Sequence, residues 1–212
     1  DVCLASMTSA GVAATLIRAG EIDCAVVGGF ESMSRALHGV QVRRARSTGD
    51  GALIDLLVKD GLWCSVTDAG MGPLSDRANR ELGIGRAEQD EFAARSHQLA
   101  AKAIKDGLLA EEIIAVPVAQ RRGPDLLFDT DEGVRPDTTA ELLAGLRPAF
   151  SKDGTITAGS SSPISDGAAA VVVMSAEAAA AAGATVLAEV GAHGVVAGPD
   201  TSLHSQPSGA IS

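Results

Sequence analysis

The chain has 212 residues, 46% of them hydrophobic and only 2% aromatic, and carries a formal net charge of −10 at pH 7. That length can bury a core in one or two domains, and with so few aromatics the packing must rely on Ala, Gly and close backbone approach. The acidic balance argues against a nucleic-acid surface, because phosphate binding draws its affinity from clustered Lys and Arg.

The opening run DVCLASMTSAGVAATLIRAG has no charge between Asp1 and Arg18. From Leu4 to Ala19 small and apolar residues occupy every face of a helical wheel, which predicts a helix buried on all sides. Its Ala, Ser, Thr and Gly content is too weakly hydrophobic for a membrane span. The start lacks a Met and a basic leader, so no signal peptide is read, and truncation or processing is expected. GEIDCAVVGG at 20–29 predicts a turn, a short buried strand and a tight loop.

Residues 30–85 lose this regularity and read as an excursion over the core, with helical pieces near 51–59 and 73–82. RAEQDEFAARSHQLAAKAIKDG, 86–107, is the clearest amphipathic helix. It sets Phe92, Ser96, Leu99 and Ala103 on one face, Glu88, Glu91, Arg95, Gln98 and Lys102 on the other, and ends at Gly107. Short strands are predicted at 113–120 and 126–131, and a small helix at 138–146. A Gly and Ser loop follows, then a continuous apolar strand at 168–174 and an alanine helix capped by Ser175. A further strand is predicted at 185–196, and no final element is legible before Ser212. The alternation is that of a layered α/β protein.

Cys3, Cys24 and Cys64 are widely spaced, with neither a C-x-x-C pair nor a His partner. No disulfide framework or metal site is predicted, and a reducing cytoplasm is the simpler compartment. The basic clusters VRRAR at 42–46 and QRRG at 120–123 are either solvated loops or local docks for an anionic ligand. Gly28 and Gly29 do not form G-x-G-x-x-G; they are read as permitting close backbone approach, with Glu31 and Ser32 tying the loop by hydrogen bonds. Cys3 at a helix N-terminus would find unpaired N–H groups and the positive end of the macrodipole, which favour a thiolate. The alternative is a small buried packing residue, the reading given to Cys24; Cys64, beside Trp63, shows no activating partner and is read as structural.

Six blocks in order, VCLAS at 2–6, VVGGFESMSRA at 26–36, RAEQDEFAARSHQLAAKAI at 86–104, DEGVRPDTT at 131–139, LRPAFSKDGTITAG at 146–159 and ISDGAAAVVVMS at 164–175, together resemble the thiolase family, bacterial acetyl-CoA acetyltransferases in particular. The resemblance implies a partial thiolase-like αβαβα layered fold. Residues 1–36 would be the remainder of the N-terminal half, 37–150 the loop domain with connecting segments, and 151–212 the start of the C-terminal half. Compared with the family the chain looks like an internal fragment. The Asn-Glu-Ala-Phe, Gly-His-Pro and second-cysteine blocks are absent, and none of His38, His97, His193 and His204 stands in a matching context.

The resemblance makes Cys3 the nucleophile, taking an acyl group from acyl-CoA as a thioester before a Claisen condensation or in its reverse. Its own backbone N–H would help form an oxyanion hole. Carried over by position, Ser162 would touch the pantetheine of coenzyme A, Ala158 and Phe150 would line the same tunnel, and Leu62 and Met71 would wall the pantetheine and acyl pocket. Arg135 would lie near the adenine and phosphates. Coenzyme A and acyl-CoA would be substrates, with no permanently bound cofactor and no metal, and a full-length relative would form a dimer or tetramer. Departures from the family pattern stand at Ala5, Phe30, Gly70, Leu142 and Pro163 and bear on substrate range. Two other readings are a non-catalytic acyl-CoA-binding protein of the same fold and a redox-responsive thiol pair of Cys3 and Cys64.

Overall fold

The computed structural model describes residues 2–41, 50–198 and 204–212. A 3-10 turn at Val2–Leu4 leads into α1 (Ala5–Arg18) and β1 (Cys24–Ser32); short strands follow as β2 (His38–Gly39), β3 (Ile54–Asp55), β4 (Trp63–Cys64) and β5 (Ala69–Gly70). Then come α2 (Met71–Leu82), α3 (Arg86–Lys105), β6 (Val116–Val118), β7 (Leu126–Phe128), α4 (Ala140–Ala144), β8 (Asp166–Met174), α5 (Ala176–Ala182) and α6 (Gln206–Ile211). The basic cluster at 42–46 lies outside the described residues. The chain forms two compact units, residues 1–70 with 164–212, and residues 71–163.

In the first unit β1 and β8 pair antiparallel along their whole length, from Cys24 opposite Met174 to Ser32 opposite Asp166. α1 packs on this sheet, with Gly11, Ala13 and Ala14 buried in the helix and Val27 buried in β1. The expectation that α1 is buried on every side is not met. Met7 and Val12 are more than half exposed, because a two-stranded sheet covers only one flank of a helix. Cys24 is likewise exposed rather than packed, being the first residue of its strand. Gly28 and Gly29 belong to β1 itself, not to a tight loop after it.

The strand predicted at 185–196 is absent from the described residues. A strand needs a lateral partner for its backbone groups. Here the carbonyls of Val190 and Gly191 instead accept from Arg18 Nη2 at 2.7 and 2.8 Å. The His193 ring lies so close to Gly11 that a Cβ there would come within 2.8 Å of the imidazole. Ser175 caps α5, its Oγ accepting the Ala178 N–H at 3.1 Å, and Gly183 ends the helix at φ 60°. α6 is the final element the sequence did not disclose; Pro207 sits in its first turn, where a missing N–H costs nothing. The helical piece expected near 51–59 starts later, as a π turn at Leu57–Gly61. Asp55 Oδ1 accepts the Leu57 N–H at 2.9 Å, holding residues 54–55 extended and starting the turn after them.

In the second unit α2 accommodates Pro73 in its first turn, and α3 ends at Gly107 with φ 71°, as predicted. The facing of α3 differs from the sequence expectation: Phe92, Ser96 and Leu99 and the polar positions Glu88, Glu91, Arg95, Gln98 and Lys102 are all exposed, and a third side of the helix faces inward. Its buried residues are Asp90 and Ala94, while Phe92 is 71% and Leu99 56% exposed. Polar side chains of α3 grip neighbouring backbone. Arg86 Nη2 donates to the carbonyls of Leu143 and Leu146 at 2.6 and 2.9 Å, and Gln98 Nε2 donates to Thr138 O at 3.1 Å. α4, capped by Thr139, packs against α3 with Leu143 buried. β6 and β7 form an exposed hairpin shorter than predicted, and Pro117 at its middle has no N–H for a ladder.

Candidate active site

Cys3 lies in the 3-10 turn just ahead of α1, exposed and free of any disulfide. Leu4 at the N-cap supplies no side-chain acceptor, so the leading amides of α1 are uncapped at the end where the thiol sits. Val2 beside it has φ 43°, a conformation a β-branched residue avoids. Gly29 lets α1 approach the sheet, since a Cβ there would run into Ser6 Oγ, and Gly28 lets β1 approach β8, since a Cβ there would run into the Ala169 carbonyl oxygen. Close approach is thus what these glycines provide. Ser9 adds a hydrogen bond to Ser6 O at 2.7 Å.

The far end of the same sheet is tied by Asp166. Its Oδ1 accepts the Ser34 N–H at 2.9 Å, and its Oδ2 accepts the hydroxyls of Ser34 and, at 3.4 Å, Ser32. The Ser34 hydroxyl first, then the Ser34 N–H, hold this carboxyl below the ordinary aspartate range. Glu31 Oε1 accepts the Ser32 N–H at 3.0 Å. Glu31 and Ser32 therefore make the hydrogen bonds expected of them, but Asp166 and Ser34 were not singled out in the sequence.

Cys64 is half-buried and free of any disulfide. The Thr67 hydroxyl, then the N–H groups of Thr67 and Val66, draw its thiol below the ordinary cysteine range. These donors sit in the turn between β4 and β5, a local geometry that residue spacing does not reveal. Leu62 lies two residues upstream, at the end of the π turn, and is exposed.

The remaining candidates fall in the second unit. Met71 opens α2 and is half-buried. The Phe150 ring packs onto its neighbour Gly72, where a Cβ would lie 2.2 Å from the ring. Ala158 and Ser162 are exposed on one loop, whose base is Thr157, 0% exposed. Thr157 Oγ1 accepts the Gly159 N–H at 3.1 Å, and the Ser161 hydroxyl donates to Thr157 O at 2.8 Å. Arg135 is exposed, with its backbone N–H donated to His97 Nδ1 at 3.2 Å. The structure thus gathers Ala158 with Ser162, and Phe150 with the start of α2, within one unit, and places Cys3 and Leu62 in the other. QRRG at 120–123 is exposed, consistent with a solvated turn. Among the described residues no cluster of His, Cys, Asp and Glu is arranged to hold a metal ion, and no helix is long and apolar enough to cross a membrane.

Residues 1–177 match the family model for the thiolase N-terminal domain, a span that includes β8. The chain is 54% identical over 211 residues to a probable acetyl-CoA acetyltransferase of Mycolicibacterium smegmatis, and 53% identical to one of Mycobacterium tuberculosis. In both cases 99% of this chain is covered and 54% of the relative, so the chain spans about half the length of the curated relatives it matches. Among solved structures, an acetyl-CoA acetyltransferase of Bacillus anthracis superposes with a TM-score of 0.80 at 36% identity, covering 86% of this chain and 46% of that one. Human mitochondrial 3-ketoacyl-CoA thiolase in complex with CoA superposes with a TM-score of 0.78 at 31% identity, covering 86% and 45%. The α/β architecture described above is therefore part of the thiolase fold, and the chain belongs to the thiolase family.

Proposed function

We propose that this chain carries the nucleophile and part of the coenzyme A wall of an acetyl-CoA acetyltransferase. The observation that carries the reading is the likeness to relatives of that name along 99% of the chain, with an exposed free thiol at position 3 ahead of an uncapped helix. The Cys3 sulfur attacks the thioester carbonyl of an acyl-CoA, the carbon–sulfur bond to CoA breaks, and CoA leaves as its thiol with the proton that Cys3 gives up; the acyl group stays on Cys3. Condensation of that acyl group with a second acetyl-CoA, or arrival at it by cleavage of a 3-ketoacyl-CoA, completes the cycle. Ser162, Ala158, Phe150, Met71 and Leu62 are assigned to the pantetheine and acyl wall, and Arg135 to the phosphates. Residues 37–150 act as the loop domain, between the end of the N-terminal half and a C-terminal half that begins at 151. The location is cytoplasmic, and the working assembly is a homodimer or homotetramer.

Residues 1–212 alone are expected to show no thiolysis of acetoacetyl-CoA, since no histidine in the chain stands in the family's catalytic context; measurable turnover would refute this. Alkylation with iodoacetamide tests the assignment of the thiol. Acetyl-CoA is expected to protect Cys3 while Cys24, exposed at the start of β1, labels equally with and without it. Equal labelling of Cys3 in both conditions, at acetyl-CoA concentrations up to millimolar, overturns the assignment.

A further inference from the structure

Asp76 is one of the most deeply buried side chains among the described residues, 1% exposed in the middle of α2. Its Oδ1 accepts two consecutive backbone N–H groups, Thr155 at 2.9 Å and Ile156 at 3.1 Å. Its Oδ2 is buried with no hydrogen-bond partner among the described residues and lies against Gly154, where a Cβ would come within 2.2 Å of it. Placing a carboxyl group here leaves one oxygen desolvated and unmatched, a cost that an apolar helix residue would avoid. What the carboxyl supplies is a rigid double acceptor that sets the backbone at 154–156.

From that point the restraint passes along the chain. Thr155 Oγ1 accepts from Gln89 Nε2 at 2.9 Å, and Ile156 O accepts the Ala149 N–H at 2.9 Å, next to Phe150. The fully buried Thr157 then organises the loop to Ser161, with Ser160 Oγ accepting the Thr157 N–H at 3.0 Å. Asp76 touches none of the residues assigned to coenzyme A. It holds the 155–156 backbone, which leads into the loop that carries Ala158 and Ser162.

We propose that Asp76 is a positioning residue for coenzyme A binding, holding the 154–157 backbone so that the 158–162 loop presents Ala158 and Ser162. This rests on the coenzyme A reading above, and the test separates the two. Hydrogen exchange of the Thr155 and Ile156 amides in the 212-residue chain is compared for the unchanged protein, Asp76→Ala and Asp76→Asn. Titration with coenzyme A is run on the same three samples.

In Asp76→Ala those two amides are expected to exchange faster by about 100-fold or more, while α3 amides keep their protection. Coenzyme A affinity is expected to fall roughly tenfold, the scale of one lost hydrogen-bonded contact. Asp76→Asn keeps an acceptor at Oδ1 and is expected to restore both properties to within about twofold of the unchanged chain. Should Asp76→Ala unfold, Asp76→Asn decides the matter: unprotected Thr155 and Ile156 amides in a folded Asn variant overturn the proposal. So do normal exchange or normal coenzyme A affinity in a folded Ala variant. If the unchanged chain binds no coenzyme A, the functional reading of the wall fails, and the exchange data alone then support or overturn the anchoring by Asp76.

Discussion

Asp166 joins the ends of β1 and β8 through a carboxyl that hydrogen bonds from Ser34, Ser32 and the Met33 backbone stabilise in its charged form. A group whose folded pKa is depressed contributes stability that is present above its unfolded value, about 3.9 for aspartate, and lost as the pH falls through the folded value. Denaturant midpoints measured from pH 6 to pH 2 are therefore expected to decline more steeply for the unchanged chain below about pH 4 than for Asp166→Ala. Parallel profiles would show that the serine contacts do not favour the carboxylate. A second residue-scale expectation concerns Gly29. Gly29→Ala drives a methyl into Ser6 Oγ, 2.0 Å away, and is expected to cost about 1–3 kcal/mol by chemical denaturation. Adding Ser6→Ala removes the clashing oxygen and is expected to recover part of that loss; no recovery would place the strain elsewhere. Both glycines drew attention in the sequence because they are adjacent, whereas Asp166 and Ser34 lie 132 positions apart, a distance that only strand pairing closes.

At the scale of elements, α3 shows how an amphipathic pattern misleads. Phe92 and Leu99 mark an apolar stripe, yet the helix turns inward the side bearing Arg86, Asp90 and Ala94. The preference has a physical basis in backbone groups: the carbonyls at the end of α4 need donors, and Arg86 is long and forked enough to reach Leu143 and Leu146 while its Nε pairs with Asp90 at 2.7 Å. Asp90 is 1% exposed. Arg86→Met would strand it, and a loss of about 3–5 kcal/mol is expected, with most of it regained in Arg86→Met/Asp90→Leu. A thermal or urea unfolding series on the single and double variants checks this; a single variant as stable as the parent would show that the pair contributes nothing. His97, which stands in no catalytic context of the family, accepts the Arg135 N–H. Its role depends on where the 131–139 loop lies, and no residue spacing carries that information.

At the scale of the whole molecule the chain exposes large apolar side chains on both units, including Val26, Phe30 and Val172 on the β1–β8 sheet and Phe92 and Leu99 on α3. β1 and β8 pair only with each other among the described residues, so each presents an unpaired edge. Contiguous apolar surface and open strand edges both favour association. Sedimentation of the 212-residue chain at increasing concentration is expected to give species heavier than 21.3 kDa. A single monomeric species at every concentration would count against those surfaces being sticky.

The long helices, the paired strands β1 and β8, the cap at Ser175, the stop at Gly107 and the family itself are legible in the sequence. Capping and glycine termination act within a few residues, and the six blocks name the family by type and order. What faces inward could be decided only by the tertiary structure. Burial of α1 depends on how many strands lie beneath it, and the segment at 185–196 has no strand partner among the described residues, its Val190 and Gly191 carbonyls accepting from Arg18. Asp76 reads as an ordinary polar residue of a helix until the 154–156 backbone folds over it. Desolvation and hydrogen bonding between distant segments set these outcomes, and both depend on which groups the fold brings within about 3 Å of each other.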